Sequence, residues 1–132
     1  MTQFNILFAE DKDNLRFMNS ELVLTLFRES YLPVIDLCAD GGEFLEKARR
    51  KKHNFYMTDD NMPRMNGSDA LRKLREEGDY TPALIVTGND RNLGTYGDIS
   101  YVGVLPKPFG IDELRISIEK LLPKVRMPAK VA

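Results

Sequence analysis

Five short apolar runs alternate with stretches of helical periodicity, and this alternation constrains the chain more than any other feature. The runs are Phe4–Ala9, Pro33–Ala39, Phe55–Thr58, Ala83–Val86 and Tyr101–Leu105. Short continuous apolar runs suit strands whose two faces are both covered. The second run is interrupted by Asp36, which an edge strand tolerates better than a central one. Between the runs, periodicity predicts helices over Asn14–Arg28, Glu43–Lys52, Ser68–Glu77 and Ile111–Leu122, with a short or frayed fifth between Asn89 and Ser100. In the first of these helices, Leu15, Met18, Leu22 and Leu26 are the expected inward stripe. A βα unit repeated five times implies right-handed crossovers and a parallel sheet covered on both sides. With 132 residues, the chain is long enough for one such domain and its core.

Parallel sheets of this kind bind ligands beyond the carboxyl ends of their strands, and four of the five runs deliver a chemically able group there. Glu10 and Asp11 follow the first, Asp59 the third and Thr87 the fourth, while the fifth reaches Lys107. Three carboxylates converging on one rim repel one another unless a cation sits among them. All-oxygen ligation favours a hard ion, best Mg²⁺, which retains waters and accepts a phosphate oxygen. A lysine and a threonine opposite the acids suit phosphoryl oxygens, and phosphoryl transfer asks for little beyond positioning and charge neutralisation. Asp60 directly follows Asp59, but alternate strand residues point to opposite faces, so only one of the two joins the cluster.

Composition narrows the classes. The 19 Lys+Arg balance 20 Asp+Glu, a net charge of −1, which gives no bulk electrostatic reason for nucleic-acid or membrane-surface binding. Cys38, the single cysteine, excludes an internal disulfide and multi-cysteine metal sites, and is read as a small core residue. No signal peptide or membrane span is evident, so the expected location is the cytoplasm. The cations of Lys47–Lys52 read as a solvated helix end complementing the helix dipole, and His53 just beyond them as a solvated surface residue.

The motifs at the strand ends resemble those of the receiver domains of two-component response regulators over essentially the whole chain to about Leu122. They are Ala9-Glu10-Asp11, then Asp59-Asp60-Asn61-Met62-Pro63-Arg64-Met65-Asn66-Gly67, Val86-Thr87-Gly88 and Lys107-Pro108-Phe109. The resemblance implies a flavodoxin-like (βα)5 fold, strand order 2-1-3-4-5, with residues 1–122 as the receiver and 123–132 as a loose basic tail. It implies that Asp59 accepts a phosphoryl group, selected over Asp60 by the register of Met62-Pro63. It assigns Mg²⁺ to Glu10, Asp11, Asp59 and the backbone carbonyl of Asn61, gives Thr87 and Lys107 to the phosphoryl group, and makes a cis Lys107-Pro108 bond common. The implied partners are a sensor histidine kinase or phosphotransfer protein and a downstream protein, and a homodimer is compatible. Such a domain is a signalling module that assists its own phosphorylation and dephosphorylation.

Two other classes use similar parts. A Mg²⁺-dependent hydrolase with an aspartyl-phosphate intermediate normally carries a second acid two residues after its nucleophile, where this chain has Asn61, and needs a cap. A flavodoxin-like nucleotide module wants a phosphate-cradling loop after the first strand, where Glu10-Asp11-Lys12-Asp13 repels phosphate without metal. A phosphorylation-independent docking module is the further alternative. Gly41-Gly42-Glu43-Phe44 approaches the diguanylate cyclase motif but lacks its paired acids, and reads as a turn. One departure from the receiver pattern concerns output: three residues before Lys107, where receivers carry Tyr or Phe, stands Val104. Valine is stiff about χ1 and too small to swing between sites, so readout is expected through Thr87 and the Asn89–Ser100 segment. No effector domain follows within the chain, which therefore acts through a partner or forms part of something longer.

Overall fold

The computed structural model describes residues 1–88 and 95–128. In chain order its elements are β1 (Gln3–Ala9), α1 (Asp13–Phe27), β2 (Leu32–Cys38), α2 (Gly41–Arg50), β3 (Phe55–Asp59), α3 (Gly67–Glu76), β4 (Ala83–Thr87), β5 (Val102–Pro106) and α4 (Ile111–Leu121). The five strands are parallel and ordered β2-β1-β3-β4-β5, so the order reverses beside β1. The sheet is the parallel one that the alternation implies, and the fold is the flavodoxin-like one, with the strand order, that the resemblance implies. The expected helix between Asn89 and Ser100 falls partly outside the described residues. Within residues 95–100 there is a short 3₁₀ turn at Thr95 and Tyr96.

Period-two alternation along the strands divides the core into two. Leu7, Ala9, Tyr56, Ala83 and Ile85 meet Phe44, Leu45 and Ala48 of α2 and Ala70, Leu71 and Leu74 of α3. Ile6, Phe8, Phe55, Met57, Leu84 and Val86 meet Val23, Leu26 and Phe27 of α1 and Leu114 and Ile118 of α4. β3 and β4 are buried along their whole lengths, as central strands covered on both faces must be. Cys38 is buried, and burial pushes its thiol up to about 12. Val125 and Met127 pack against the second cluster, so the start of the basic tail lies on the domain.

Three expectations need correction. Of the expected stripe on α1, Leu26 is buried and Leu22 packs against the second cluster, but Met18 is 53% exposed, and Asn19, Ser20, Val23 and Phe27 complete the inward face. The N-terminal half of α1 rises past the sheet to its rim, where Leu15 and Met18 line a shallow cleft with Lys107, Pro108 and Phe109. His53 is not a surface residue: it is 2% exposed, with Nε2 2.9 Å from Asp36 Oδ2. The chain enters β3 two residues later and draws the ring beneath the sheet end, where the carboxylate of edge strand β2 receives it. The same carboxylate meets Lys51, and these contacts hold the Asp36 carboxyl below its ordinary range against the opposing effect of burial. Finally, α2 starts at Gly41, ahead of the expected Glu43. Asp40 caps it, accepting from Glu43 N at 2.8 Å, while the Glu43 side chain reaches past the cap to accept from Ala39 N at 2.8 Å.

Candidate functional site

The carboxyl ends of β1 and β3 lie side by side because the two strands pair in register, Ala9 against Thr58. Glu10, Asp11 and Asp59 follow directly, and each offers a carboxylate oxygen within 4.8 Å of the others. Asp59 is 7% exposed and Glu10 1%. Lys107, one residue past β5, donates from Nζ to Asp59 Oδ2 at 2.8 Å and lies 3.9 Å from Glu10 Oε1. Its backbone N–H donates to Thr87 O at 2.8 Å, which fixes the ends of β4 and β5 together. The Lys107-Pro108 bond is cis.

The neighbouring acids diverge. Asp59 turns to Lys107, while Asp60 faces the other side of the sheet. Asp60 Oδ1 accepts from Ser68 N at 2.9 Å at the start of α3, and Oδ2 accepts from the Tyr96 hydroxyl at 2.6 Å. A second concavity of about 410 Å³ opens beside Asp59 and is lined by Asn61, Asn66, Thr87, Gly88 and Tyr96 together with the two acids. The structure therefore gathers Glu10, Asp11, Asp59 and Lys107 at one point and sets Thr87 and Asn61 along the adjoining wall. Sequence reasoning missed Asp60 and Tyr96. Asp60 offered only the alternation argument that it points away, and Tyr96 sits among glycines without periodicity.

One cation does not neutralise three acids. Burial, with smaller contributions from the Asp11 hydrogen bond and the Asp59 charge, raises Glu10 to about 7, while the Lys12 backbone N–H and Lys107 act the other way. A small pocket of oxygen donors with surplus negative charge fits a hard divalent cation, so the residues present suit Mg²⁺. The close approach of Gly67 helps shape this rim: a Cβ there would lie 2.4 Å from Asp59 O and 2.5 Å from Thr58 Oγ1. Only a hydrogen at that position lets α3 begin directly behind the strand end.

Comparison with known proteins gives a consistent picture. The family described as response regulator receiver domain matches residues 6–119. The response regulator ArlR of Staphylococcus epidermidis is 33% identical over 121 residues, covering 89% of this chain and 52% of that protein. The response regulator MprA of Mycobacterium leprae is 35% identical over 96 residues, covering 70% of this chain and 41% of that protein. The chain thus spans about half the length of the curated relatives it matches. Among solved structures, the chemotaxis response regulator CheY4 of Vibrio cholerae superposes with a TM-score of 0.78 at 26% identity, over 91% of this chain and 99% of that one. The chain belongs to the response regulator receiver domain family of two-component signalling systems.

Proposed function

We propose that this domain accepts a phosphoryl group on Asp59 from the phosphohistidine of a sensor kinase or phosphotransfer protein, or from a small phosphodonor. The observation that carries the reading is the 2.8 Å contact of Lys107 Nζ with Asp59 Oδ2 inside a carboxylate cluster. An Asp59 oxygen attacks phosphorus as the donor's bond to phosphorus breaks, and the donor nitrogen or oxygen leaves with that electron pair. Lys107, already on Asp59, follows the charge onto the phosphoryl oxygens. The Thr87 hydroxyl donates to another of those oxygens from the adjoining wall. Glu10, Asp11, Asp59 and the Asn61 carbonyl would hold Mg²⁺, which when bound neutralises charge between the carboxylates and the incoming phosphoryl group. Hydrolysis of the acyl phosphate later returns the carboxylate, so the group is a signal and not a product.

Support comes from the family and from the position of each group. No described helix is long and apolar enough to cross a membrane, and the reading places the domain in the cytoplasm, acting on a downstream protein partner. Intact-mass measurement after treatment with acetyl phosphate and Mg²⁺ tests it. One phosphate adduct is expected, absent in Asp59→Asn and in excess chelator. Equal labelling of that variant overturns the proposal.

A further inference from the structure

At the amino ends of β3 and β4, away from the carboxylates, lies a concavity of about 660 Å³, a size that suits a small molecule. One wall is the end of α2 with the segment leading to β3, and the other is the turn from α3 to β4. The lining carries four cations in an unbroken run, Arg49, Arg50, Lys51 and Lys52, against one carboxylate, Asp79. Asp79 is already engaged, accepting from the Tyr56 hydroxyl and from Thr81 N and Oγ1. Glu77, Glu46 and Asp36, which pair with the first three cations, stand outside the lining. All six side chains of these pairs are a third or more exposed. Exposed ion pairs are weak, so the cations can exchange them for a ligand's oxygens. Lys52 has no ion pair with any described residue.

Two further observations point to the rest of the ligand. His53 belongs to the lining and is 2% exposed, and its Nδ1 is buried without a hydrogen-bond partner among the described residues. Nε2 is taken by Asp36 at 2.9 Å. A buried polar atom with no protein partner calls for one from outside, and a hydroxyl, which both donates and accepts, satisfies Nδ1 in either protonation state. On the rim, Tyr80 is 54% exposed and meets Tyr101, 65% exposed, edge-on at 6.2 Å. Tyr101 is held at φ +54°, a left-handed conformation that costs an aromatic residue energy, and burial of its ring does not offset it. Two exposed rings kept at the edge of a cationic concavity offer a face on which a planar base stacks.

We propose that this concavity binds a nucleoside phosphate, with phosphate oxygens on Lys52 and its neighbouring cations, a ribose hydroxyl on His53 Nδ1 and the base on Tyr80. The proposal stands at the opposite end of the sheet from Asp59 and is independent of the phosphoacceptor reading. A single concavity, in place of a basic track, favours a mononucleotide over a strand.

The test titrates ADP into the full ¹⁵N-labelled chain, in excess chelator so that no metal carries the nucleotide to the carboxylates. Saturable amide shifts are expected at Lys52, His53, Asn54 and Tyr80, together with movement of the His53 Nδ1 signal. Ribose 5-phosphate, which lacks the base, and adenosine, which lacks the phosphate, should each bind at least tenfold more weakly. Lys52→Ala should weaken both ADP and ribose 5-phosphate at least fivefold. Tyr80→Ala should weaken ADP at least fivefold and leave ribose 5-phosphate unchanged, a split that general loss of structure would not produce. Both side chains are exposed, and should either variant fail to fold, the ligand series on the wild-type chain decides. Shifts that do not saturate, or an Nδ1 signal that stays in place, overturn the proposal. Equal affinity for ADP and ribose 5-phosphate also overturns it, reducing the site to a cation cluster for any phosphate.

Discussion

Glu10 shows how a single side chain records what surrounds it. An acid that is 1% exposed beside Asp11 and Asp59 keeps its proton to about 7. In the unfolded chain a glutamate releases its proton near its ordinary value, 4.5. Between these values the folded state binds more protons than the unfolded one, so stability falls as pH rises through the window. The loss for metal-free protein is of the order of 2–3 kcal/mol. Urea unfolding in chelator at pH 5 and pH 8 should show it, and Glu10→Gln should flatten the difference. A metal bound by this carboxylate requires its ionised form, so Mg²⁺ uptake near pH 6 releases protons. Gly67 makes a steric case at the same scale. Its Cβ would meet the Asp59 carbonyl and the Thr58 side chain, so Gly67→Ala should cost about 1–3 kcal/mol by overpacking, read as a lowered denaturation midpoint. The acids of the site were legible in sequence because each follows a recognisable strand. The motif glycine was visible too, but not the backbone it must admit.

Among the elements, α3 holds the far end of the sheet as well as the site. Arg75 is 9% exposed and donates to Ser100 O at 3.0 Å, Asp79 O at 2.9 Å, Thr81 O at 2.8 Å and Tyr101 O at 3.3 Å. These carbonyls belong to the turns entering β4 and β5. Burial lowers the Arg75 pKa, and the carbonyls compensate for the lost hydration. Arg75→Met keeps the apolar stem but strands several acceptors, so it should destabilise the domain by about 2–4 kcal/mol, measurable by chemical denaturation. Periodicity over Ser68–Glu77 predicts the helix but carries no signal that Arg75 is buried. The same blindness put Met18 on the inward face of α1 and His53 at the surface. Hydrophobic patterning reports which residues seek the core, but a polar residue is buried only where particular partners meet it. Those partners lie far along the chain, as Asp36 does for His53.

For the whole molecule, folding gathers negative charge at one end of the sheet. Like charges from β1 and β3 are held together by the core beneath them, a local conflict that a functional site can retain because the rest of the fold compensates. A divalent cation relieves it. At a hundred times its Kd, Mg²⁺ should raise stability by about 2.7 kcal/mol. Asp11→Asn should remove most of that dependence and stabilise the metal-free protein, both checked by thermal melts with and without millimolar Mg²⁺. Melts unaffected by Mg²⁺ would count against cation binding at this cluster.

What the sequence by itself determined is the set of features written in local order. The alternation of strands and helices, the parallel sheet and the acids and lysine after particular strands all follow from patterns within a few residues. The divergence of Asp59 from Asp60 follows too, because pleat alternation is a property of the strand alone. Only the tertiary structure decided which long-range partners those residues meet. Asp60 became the acceptor for the Ser68 N–H in the first turn of α3 and for Tyr96, His53 found Asp36, and Arg75 found the turns before β4 and β5. Such pairings depend on three-dimensional proximity and directional hydrogen bonds, which no periodicity along one segment encodes. Apolar burial is non-directional and scales with area, so its pattern survives in sequence. A buried polar contact is directional and stabilises only when both partners are in place.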